Sequence, residues 1–202
     1  MPKTTYYNLN KSKKEKIINA GLTEFTNYSL YRGSVNRIVK KAEISKGSFY
    51  QYFYNKEEFY WYIIKLQIKD KIKSYDELLE EYDGDIFQVE RTHLGELLEL
   101  TKDYRYNGLL SNLFIHSFHD VKQKVFDHDE VNFNIMYQMY ISHKKDLYKV
   151  ESQEEFSAFF DMLRTLSTSC ITGVIMNTYN VPFAKDMYNK QINYIKKGLA
   201  AI

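Results

Sequence analysis

The chain has 202 residues, a formal net charge of +2 and a single cysteine, Cys170. This length suffices for one or two domains with a sizeable core, the lone cysteine excludes an internal disulfide, and no stretch reaches the roughly 18 apolar residues of a membrane span. The N-terminus is polar and carries lysines, unlike a secretory signal. We therefore expect a cytoplasmic protein without a membrane partner.

Lysine and arginine are concentrated at the N-terminal end. Residues 1–56 hold 11 Lys and Arg against 3 Asp and Glu, a net charge of +8, whereas residues 57–202 hold 17 against 23. A basic segment attached to an acidic remainder is typical of a protein that binds a polyanion at one end. Charge alone leaves a second interpretation open, in which the lysines before Ile17 form only a solvated tail.

Helical periodicity dominates a chain that has only 2 prolines and 8 glycines. We predict an all-α fold of about nine helices. After a polar arm, Ser12 and Glu15 have the spacing of a capping box that would open the first helix. Its apolar stripe runs from Ile17 to Phe25 and ends near residues 28–29. The basic arm before it would reach the phosphates of a bound nucleic acid.

Residues 34–56 predict two short helices joined by a tight turn, with a third helix starting directly after them. From Val35 to Ala42, apolar residues recur at i, i+3, i+4 and i+7, the spacing of one helical face. Ser34 precedes them as an N-cap. Glu43 and Ile44 leave room only for a turn before the next helix.

The second of these helices has one apolar and one polar face. Ser45 is placed to cap it, and Phe49 and Phe53 lie one helical turn apart, so both face the core. Its first turn offers backbone N–H groups where the helix dipole favours an anion. The outward side chains carry groups that bond phosphates and base edges: Lys46, Ser48, Tyr50, Gln51 and Tyr52.

The pattern S-x-x-x-I-V-x-x-A-x-I-S-x-G-S-F-Y-x-Y-F-x-N-K-E, read from Ser34 without a gap, resembles the DNA-binding signature of the tetracycline-repressor (TetR) family of bacterial regulators. The resemblance implies that Ser34 and Lys56 hold phosphates, and that Gln51 is a candidate base reader. It also implies that two tyrosines pin the recognition helix to the DNA backbone. The full set of implied DNA-binding residues is Ser34, Lys46, Gly47, Ser48, Tyr50, Gln51, Tyr52 and Lys56.

Two positions depart from the family pattern. Glu43 stands where the family usually has glycine, which leaves open whether the turn keeps a positive φ. Tyr52 stands where the family often has histidine, so that a phosphate contact there would have a longer reach.

Beyond residue 54 the pattern predicts a long helix to about Tyr82, broken by residues 83–85, and a further helix over 85–103. Gly108 is expected to mark another break, before an apolar helix from Leu109. Further helices are predicted over 121–126 and 130–148. Ser152 and Glu155 open a long helix that residues 180–182 end, and a last helix follows.

The resemblance implies two domains, a three-helix helix-turn-helix DNA-binding domain over residues 1–54 and a ligand-binding and dimerisation domain over 55–202. Two long apolar C-terminal helices are compatible with a homodimer through a four-helix bundle or with core packing alone, and the resemblance favours the dimer. The family likeness further implies a repressor that binds a palindromic double-stranded operator and responds to a small-molecule effector. A largely apolar effector pocket would be lined by Phe87, Phe114, Phe118, Tyr137, Tyr140, Phe160 and Met176. The same side chains are equally compatible with a filled core.

Other chemistry has little support in the sequence. His116, His119 and Asp120, with His93, lack the spacing of a strong zinc signature, and Cys170 on an apolar helix face is typical of packing. We find no phosphate-binding glycine loop or nucleophile elbow, and expect neither an enzyme nor a cofactor or metal. The alternative function is a helical ligand-binding or scaffold protein whose N-terminal bundle docks a protein partner.

Overall fold

The computed structural model describes residues 2–68, 71–115, 137–138, 140–142, 150 and 152–199. Ten α-helices can be bounded within these ranges, residues 137–138 and 140–142 are also helical, and no described residue lies in a strand, so the predicted all-α fold is confirmed. The helices are α1 Thr4–Tyr7, α2 Lys11–Asn27, α3 Val35–Ala42, α4 Lys46–Tyr52, α5 Lys56–Ile68, α6 Tyr75–Glu81, α7 Ile86–Leu100, α8 Tyr104–Phe114, α9 Gln153–Ile175 and α10 Val181–Leu199. The helices predicted over 121–126 and most of 130–148 lie outside the described residues.

Side-chain caps set the start of the helices in the helix-turn-helix segment. Ser34 Oγ accepts from the backbone N–H of Arg37 at 3.5 Å, and Ser45 Oγ accepts from that of Ser48 at 3.0 Å. Both caps were predicted. The capping box predicted at Ser12 is wrong, because Asn10 Oδ1 accepts from Lys13 N at 2.9 Å and caps α2 two residues earlier.

The long helix predicted from Asn55 to about Tyr82 is two helices. α5 ends at Ile68, the described residues 71–74 are not helical, and α6 starts after Ser74. The second start has a local cause, since Ser74 Oγ accepts from Glu77 N at 3.3 Å and Glu77 Oε2 accepts from Ser74 N at 2.7 Å. This reciprocal capping box satisfies two backbone donors that a continuous helix would have bonded internally.

Gly108 does not break a helix, contrary to the prediction. It lies inside α8, which starts earlier, where Asp103 accepts from Arg105 N at 2.9 Å. A Cβ on Gly108 would lie 2.8 Å from Thr26 O. The glycine therefore serves a close approach of α8 to α2 rather than a turn.

The helix that begins after Ser152 ends at Ile175 instead of residues 180–182. Asn177 follows in a left-handed conformation with φ 57°. Asn180 begins the next helix, because its Oδ1 accepts from Phe183 N at 2.8 Å. Pro182 thus stands in the first turn of α10, where its missing N–H costs nothing.

The chain divides into two compact units, residues 1–71 with 103–118, and residues 72–102 with 119–202. The first contains α1–α5 and α8 and has an aromatic core. Phe59 lies at its centre, with ring centroids 4.5 Å from Phe53, 5.4 Å from Phe49 and 5.9 Å from Phe25. The predicted division into a DNA-binding domain over residues 1–54 and a ligand-binding and dimerisation domain over 55–202 stays a prediction.

The second unit packs α6, α9 and α10 around α7. Its buried side chains include Leu94, Leu98, Phe156, Leu163, Cys170, Ile171, Ala184, Tyr188 and Ile192. Among the residues that the structure describes, no helix combines the length and apolar character that crossing a bilayer requires.

Candidate nucleic-acid interface

The turn between α3 and α4 keeps the left-handed conformation despite its non-glycine residue. Glu43 has φ 55° and ψ 43°, and Ile44 N donates to Val39 O at 3.0 Å, which closes the end of α3. The Glu43 carboxylate accepts from Lys16 Nζ on α2, and this ion pair lowers the pKa of Glu43. Glu43 therefore keeps the positive φ that the family's glycine would have at this position.

A buried carboxylate on α2 orients the N-terminal end of α3. Glu24 is 6 % exposed. Its Oε1 accepts from Ser34 N at 2.7 Å, and its two oxygens accept from the Arg37 guanidinium at 2.6–3.0 Å. Arg37 also donates to Arg32 O at 2.9 Å. The bonds to Glu24 raise the pKa of Arg37. Sequence reasoning missed this pair, although a glutamate inside the apolar stripe of α2 was a signal.

The polar face of α4 lies at the surface. Lys46, Gly47 and Gln51 are exposed, and Tyr50 is 42 % exposed. Ser48 is half-exposed, with its Oγ 2.9 Å from Ser45 Oγ. A Cβ on Gly47 would meet only Ser45 Oγ, at 3.7 Å, so the bare backbone there faces outward. The structure therefore brings five of the eight predicted DNA-binding residues onto one short helix with an open surface.

The other three predicted residues are already engaged within the protein. The prediction that Tyr52 faces outward is wrong, because Tyr52 is 6 % exposed and its ring centroid lies 6.4 Å from that of Tyr6. Lys56 is half-buried and donates through Nζ to Gly33 O at 2.9 Å and to Tyr31 O at 3.3 Å. Ser34 caps α3, as described above. Their contacts to phosphate stay predictions.

The predicted pocket residues do not gather in one place. Around Phe156, the ring centroids of Tyr140, Tyr137 and Phe160 lie at 5.1, 5.4 and 6.2 Å. Phe87 lies 5.5 Å from Phe159, in the same unit. Two residues depart from this cluster: Phe114 belongs to the other compact unit, and Met176 is 62 % exposed. Phe118 lies outside the described residues. A surface groove of about 440 Å³ between α2 and α3 contains none of them.

A polar cluster that the sequence did not indicate lies inside the second unit. Glu90 is 1 % exposed and accepts from Tyr188 Oη at 3.0 Å and from Tyr75 Oη. Burial raises the pKa of Glu90, while nearby Arg164 opposes that shift. Burial, with the charge of Arg164, lowers the pKa of His93 to about 3. Two tyrosine hydroxyls thus bond a carboxylate that would otherwise be costly to bury, and the charge of Arg164 favours its ionised form.

Two rejected chemistries can be placed on the structure. Burial raises the pKa of Cys170 to about 11, which disfavours the thiolate needed by a redox sensor. His116, His119 and Asp120 lie outside the described residues. Among the residues described, no group of three or more His, Cys, Asp or Glu side chains is arranged to hold a metal ion.

Comparison with known proteins points to one family. Residues 17–62 match the sequence model described as bacterial regulatory proteins, tetR family. This match covers α3, α4, the intervening turn and most of α2 and α5. No curated protein matches the chain in sequence.

Solved structures match over almost the whole length. A TetR family transcriptional regulator from Chloroflexus aurantiacus aligns over 100 % of both chains, with 21 % identity and a TM-score of 0.55. NalD of Pseudomonas aeruginosa, the secondary repressor of the MexAB-OprM multidrug efflux pump, aligns over 93 % of this chain and 96 % of its own, with 12 % identity and a TM-score of 0.65. The fatty acid degradation regulator FadR from Bacillus halodurans aligns over 92 % and 96 %, with 14 % identity and a TM-score of 0.62. The resemblance to the TetR family is therefore confirmed, because residues 17–62 carry the family's sequence pattern and the chain has the fold of TetR-family regulators.

Proposed function

We propose that the protein is a sequence-specific DNA-binding transcriptional regulator that places α4 in the major groove. The observation that carries this proposal is the open surface of α4, where Lys46, Gly47, Tyr50 and Gln51 are exposed together. An α-helix fits the B-DNA major groove, and base edges there distinguish all four base pairs. The net charge of +8 over residues 1–56 supports the same partner, since phosphate contacts dominate affinity for DNA.

The residues of α4 divide into two roles. Lys46 and the backbone N–H groups of the first turn lie at the N-terminal end of α4, the positive end of its dipole, where a phosphate is favoured. Gln51 has one amide that donates and accepts, which matches N6 and N7 of adenine in a bidentate contact. Tyr50 would bond the DNA backbone through its hydroxyl. Gly47 lets the helix approach closely, because no side chain stands in front of it.

The test is binding-site selection from random DNA, followed by a mobility shift with the selected sequence and a scrambled control at two salt concentrations. Sequence-specific binding that weakens with salt supports the proposal. Absence of any enriched sequence, together with capture of a protein through the N-terminal bundle, would replace it with the scaffold function.

We further propose that the regulator acts as a homodimer through α9 and α10. On α9 and its C-cap, exposed residues recur at intervals of four and three without any charged side chain. They are Ala158, Met162, Thr165, Ser169 and Met176, with Thr172 half-exposed between them. Met162 is 44 % and Met176 62 % exposed.

A matching stripe on α10 supports the same interface. It starts at Phe183, 50 % exposed, and continues through Met187 to Tyr194, 73 % exposed. Steps of three and four residues, which average 3.6 on α9, keep the stripe on one helical face, where a partner helix can pack along it. A second copy would cover both stripes as a four-helix bundle. Two α4 helices about 34–36 Å apart would then read a palindromic operator.

The same proposal includes repression that a small molecule relieves. α8 could carry the effect of a bound ligand to the DNA-binding segment, because it follows α7 after residues 101–103 and packs within the first compact unit. Asn112 Nδ2 donates to Phe25 O and Thr26 O, both at 3.0 Å, at the end of α2. A ligand that favours another position of α8 would thereby move the helix-turn-helix segment. It must bind one arrangement more tightly than the other, or it shifts nothing.

A further inference from the structure

The C-terminal turn of α4 is completed by residues that lie before the family match. An α-helix leaves its last four carbonyls without a partner inside the helix. In α4, Phe49 O accepts from Phe53 N at 2.9 Å. The carbonyls of Tyr50, Gln51 and Tyr52 remain, and they belong to the turn that carries the proposed base reader.

Lys3 and Thr5 bond all three of these carbonyls. Lys3 Nζ donates to Tyr50 O at 2.9 Å, and Lys3 N donates to Tyr52 O at 2.9 Å. Thr5 Oγ1 donates to Gln51 O. The Lys3 ammonium also stands at the negative end of the α4 dipole, where a cation is favoured.

The core of the N-terminal unit holds this arm in place. Tyr6 is 2 % exposed, and its ring centroid lies 5.1 Å from Phe53 and 5.5 Å from Tyr62. Lys14 Nζ donates to Tyr7 O at 2.7 Å and fixes the end of α1. The arm is thus a packed element, which excludes for Lys3 and Lys14 the solvated tail that charge alone left open.

We propose that Lys3 and Thr5 are positioning residues that hold the last turn of α4, and with it Gln51, at the angle required for reading bases. This inference rests on the proposed DNA-binding function. α4 has 7 residues, and helices much shorter than about 12 residues are marginal without outside contacts. Gln51 is the next-to-last residue of α4, so fraying of this turn would release the base reader first.

The experiment compares Lys3→Met and Thr5→Val with two references on the selected DNA. Lys46→Met removes a proposed phosphate contact. Thr23→Val is the control, because Thr23 Oγ1 also donates to a backbone carbonyl, Asn19 O at 2.8 Å. It accepts from Lys41 Nζ at 2.8 Å as well, and neither bond involves α4. The measurements are affinity at several salt concentrations, base preference, and amide hydrogen exchange of α4 without DNA.

We expect Lys3→Met and Thr5→Val each to weaken specific binding about three- to tenfold, the effect of one lost hydrogen bond. Base preference at the position read by Gln51 should relax, and the amides of the last turn of α4 should exchange faster. The salt slope should stay at the wild-type value, whereas Lys46→Met should reduce it by about 0.9. Thr23→Val should match the wild type, and Lys3→Arg should recover part of the affinity.

Two results overturn the inference. A salt slope that falls by about one in Lys3→Met would make Lys3 a phosphate contact. Unchanged affinity and exchange in both variants would show that the arm does not hold α4. If the wild-type protein selects no DNA, the proposed function fails first, and the exchange of α4 alone then decides whether the arm still orders this helix.

Discussion

Gly108→Ala tests how tightly α8 is seated on α2. The new Cβ would lie 2.8 Å from both Thr26 O and Thr26 Cγ2, whereas ordinary contact begins at 3.4 Å, so α8 must retreat by about 0.6 Å. This retreat would lengthen the two 3.0 Å bonds from Asn112 to about 3.6 Å, beyond hydrogen-bonding distance. The substitution therefore strains the packing and breaks two bonds together.

The expected net effect is a loss of about 1–3 kcal/mol in the free energy of unfolding. Overpacking costs about 1–3 kcal/mol and each lost hydrogen bond about 0.5–1.5 kcal/mol. Alanine returns about 1 kcal/mol through its helix propensity. A χ1 rotation of Thr26 would relieve the contact with its methyl group but not the contact with its carbonyl, so part of the overpacking cost remains.

The assay is urea denaturation followed by circular dichroism, with Gly95→Ala as the matched control. Gly95 also lies inside a helix, but a Cβ there would meet only the end of the Lys185 side chain at 3.8 Å. Gly95→Ala should therefore stabilise by about 0.5–1 kcal/mol. Equal stabilisation by both substitutions would refute the close approach of α8 to α2.

Four further outcomes are expected. Gln51→Ala should relax base choice at one operator position at a cost of about 1–3 kcal/mol, and identical preferences in site selection would remove Gln51 as a base reader. Lys56→Ala should weaken binding to all DNA and lower the salt slope by about one. An unchanged slope with a lower melting temperature would show that Lys56 serves only its bonds to the Gly33 and Tyr31 carbonyls. Met162→Glu should convert a dimer to a folded monomer in sedimentation, because it buries a charge at the interface, and a variant that stays dimeric would place the contact elsewhere. Lys102 and Lys185 lower the pKa of Glu99 to about 2, so the contribution of Glu99 to stability is present above about pH 4.5 and lost as pH falls toward 2. Glu99→Gln should therefore make the free energy of unfolding less dependent on pH in that window. An unaltered acid transition would show that the two ion pairs of Glu99 add no stability.

Features that depend on neighbouring residues could be predicted from the sequence. Ser34 and Ser45 cap their helices because the bonded N–H groups are three residues away. Phe49 and Phe53 are both buried, as their spacing of one turn indicated. The start of α6 is equally local, and its Ser74–Glu77 spacing is the sequence signal of a capping box that argues against one long helix.

Features that depend on distant residues could not be predicted in this way. Lys3 and Thr5 reach α4 across 46–47 positions, and Asn112 reaches the end of α2 across 86–87. Periodicity shows which face of a helix is apolar but does not show which helix covers it. Gly108 is an example, because a glycine in the sequence is compatible with a helix break or with close packing against another helix. Only the position of Thr26 in the structure distinguishes the two.

The left-handed Glu43 shows how such a distant contact can replace a local signal. Glycine would adopt this conformation without steric cost, whereas a residue with a Cβ needs compensation from its surroundings. Here Ile44 N bonds Val39 O, and Lys16 on α2 pairs with the Glu43 carboxylate. Because that pair lies at the surface, with side chains 53 % and 70 % exposed, it adds little stability of its own. The packed helices on both sides therefore impose the conformation of the turn, and the same packing sets the angle at which α4 leaves it.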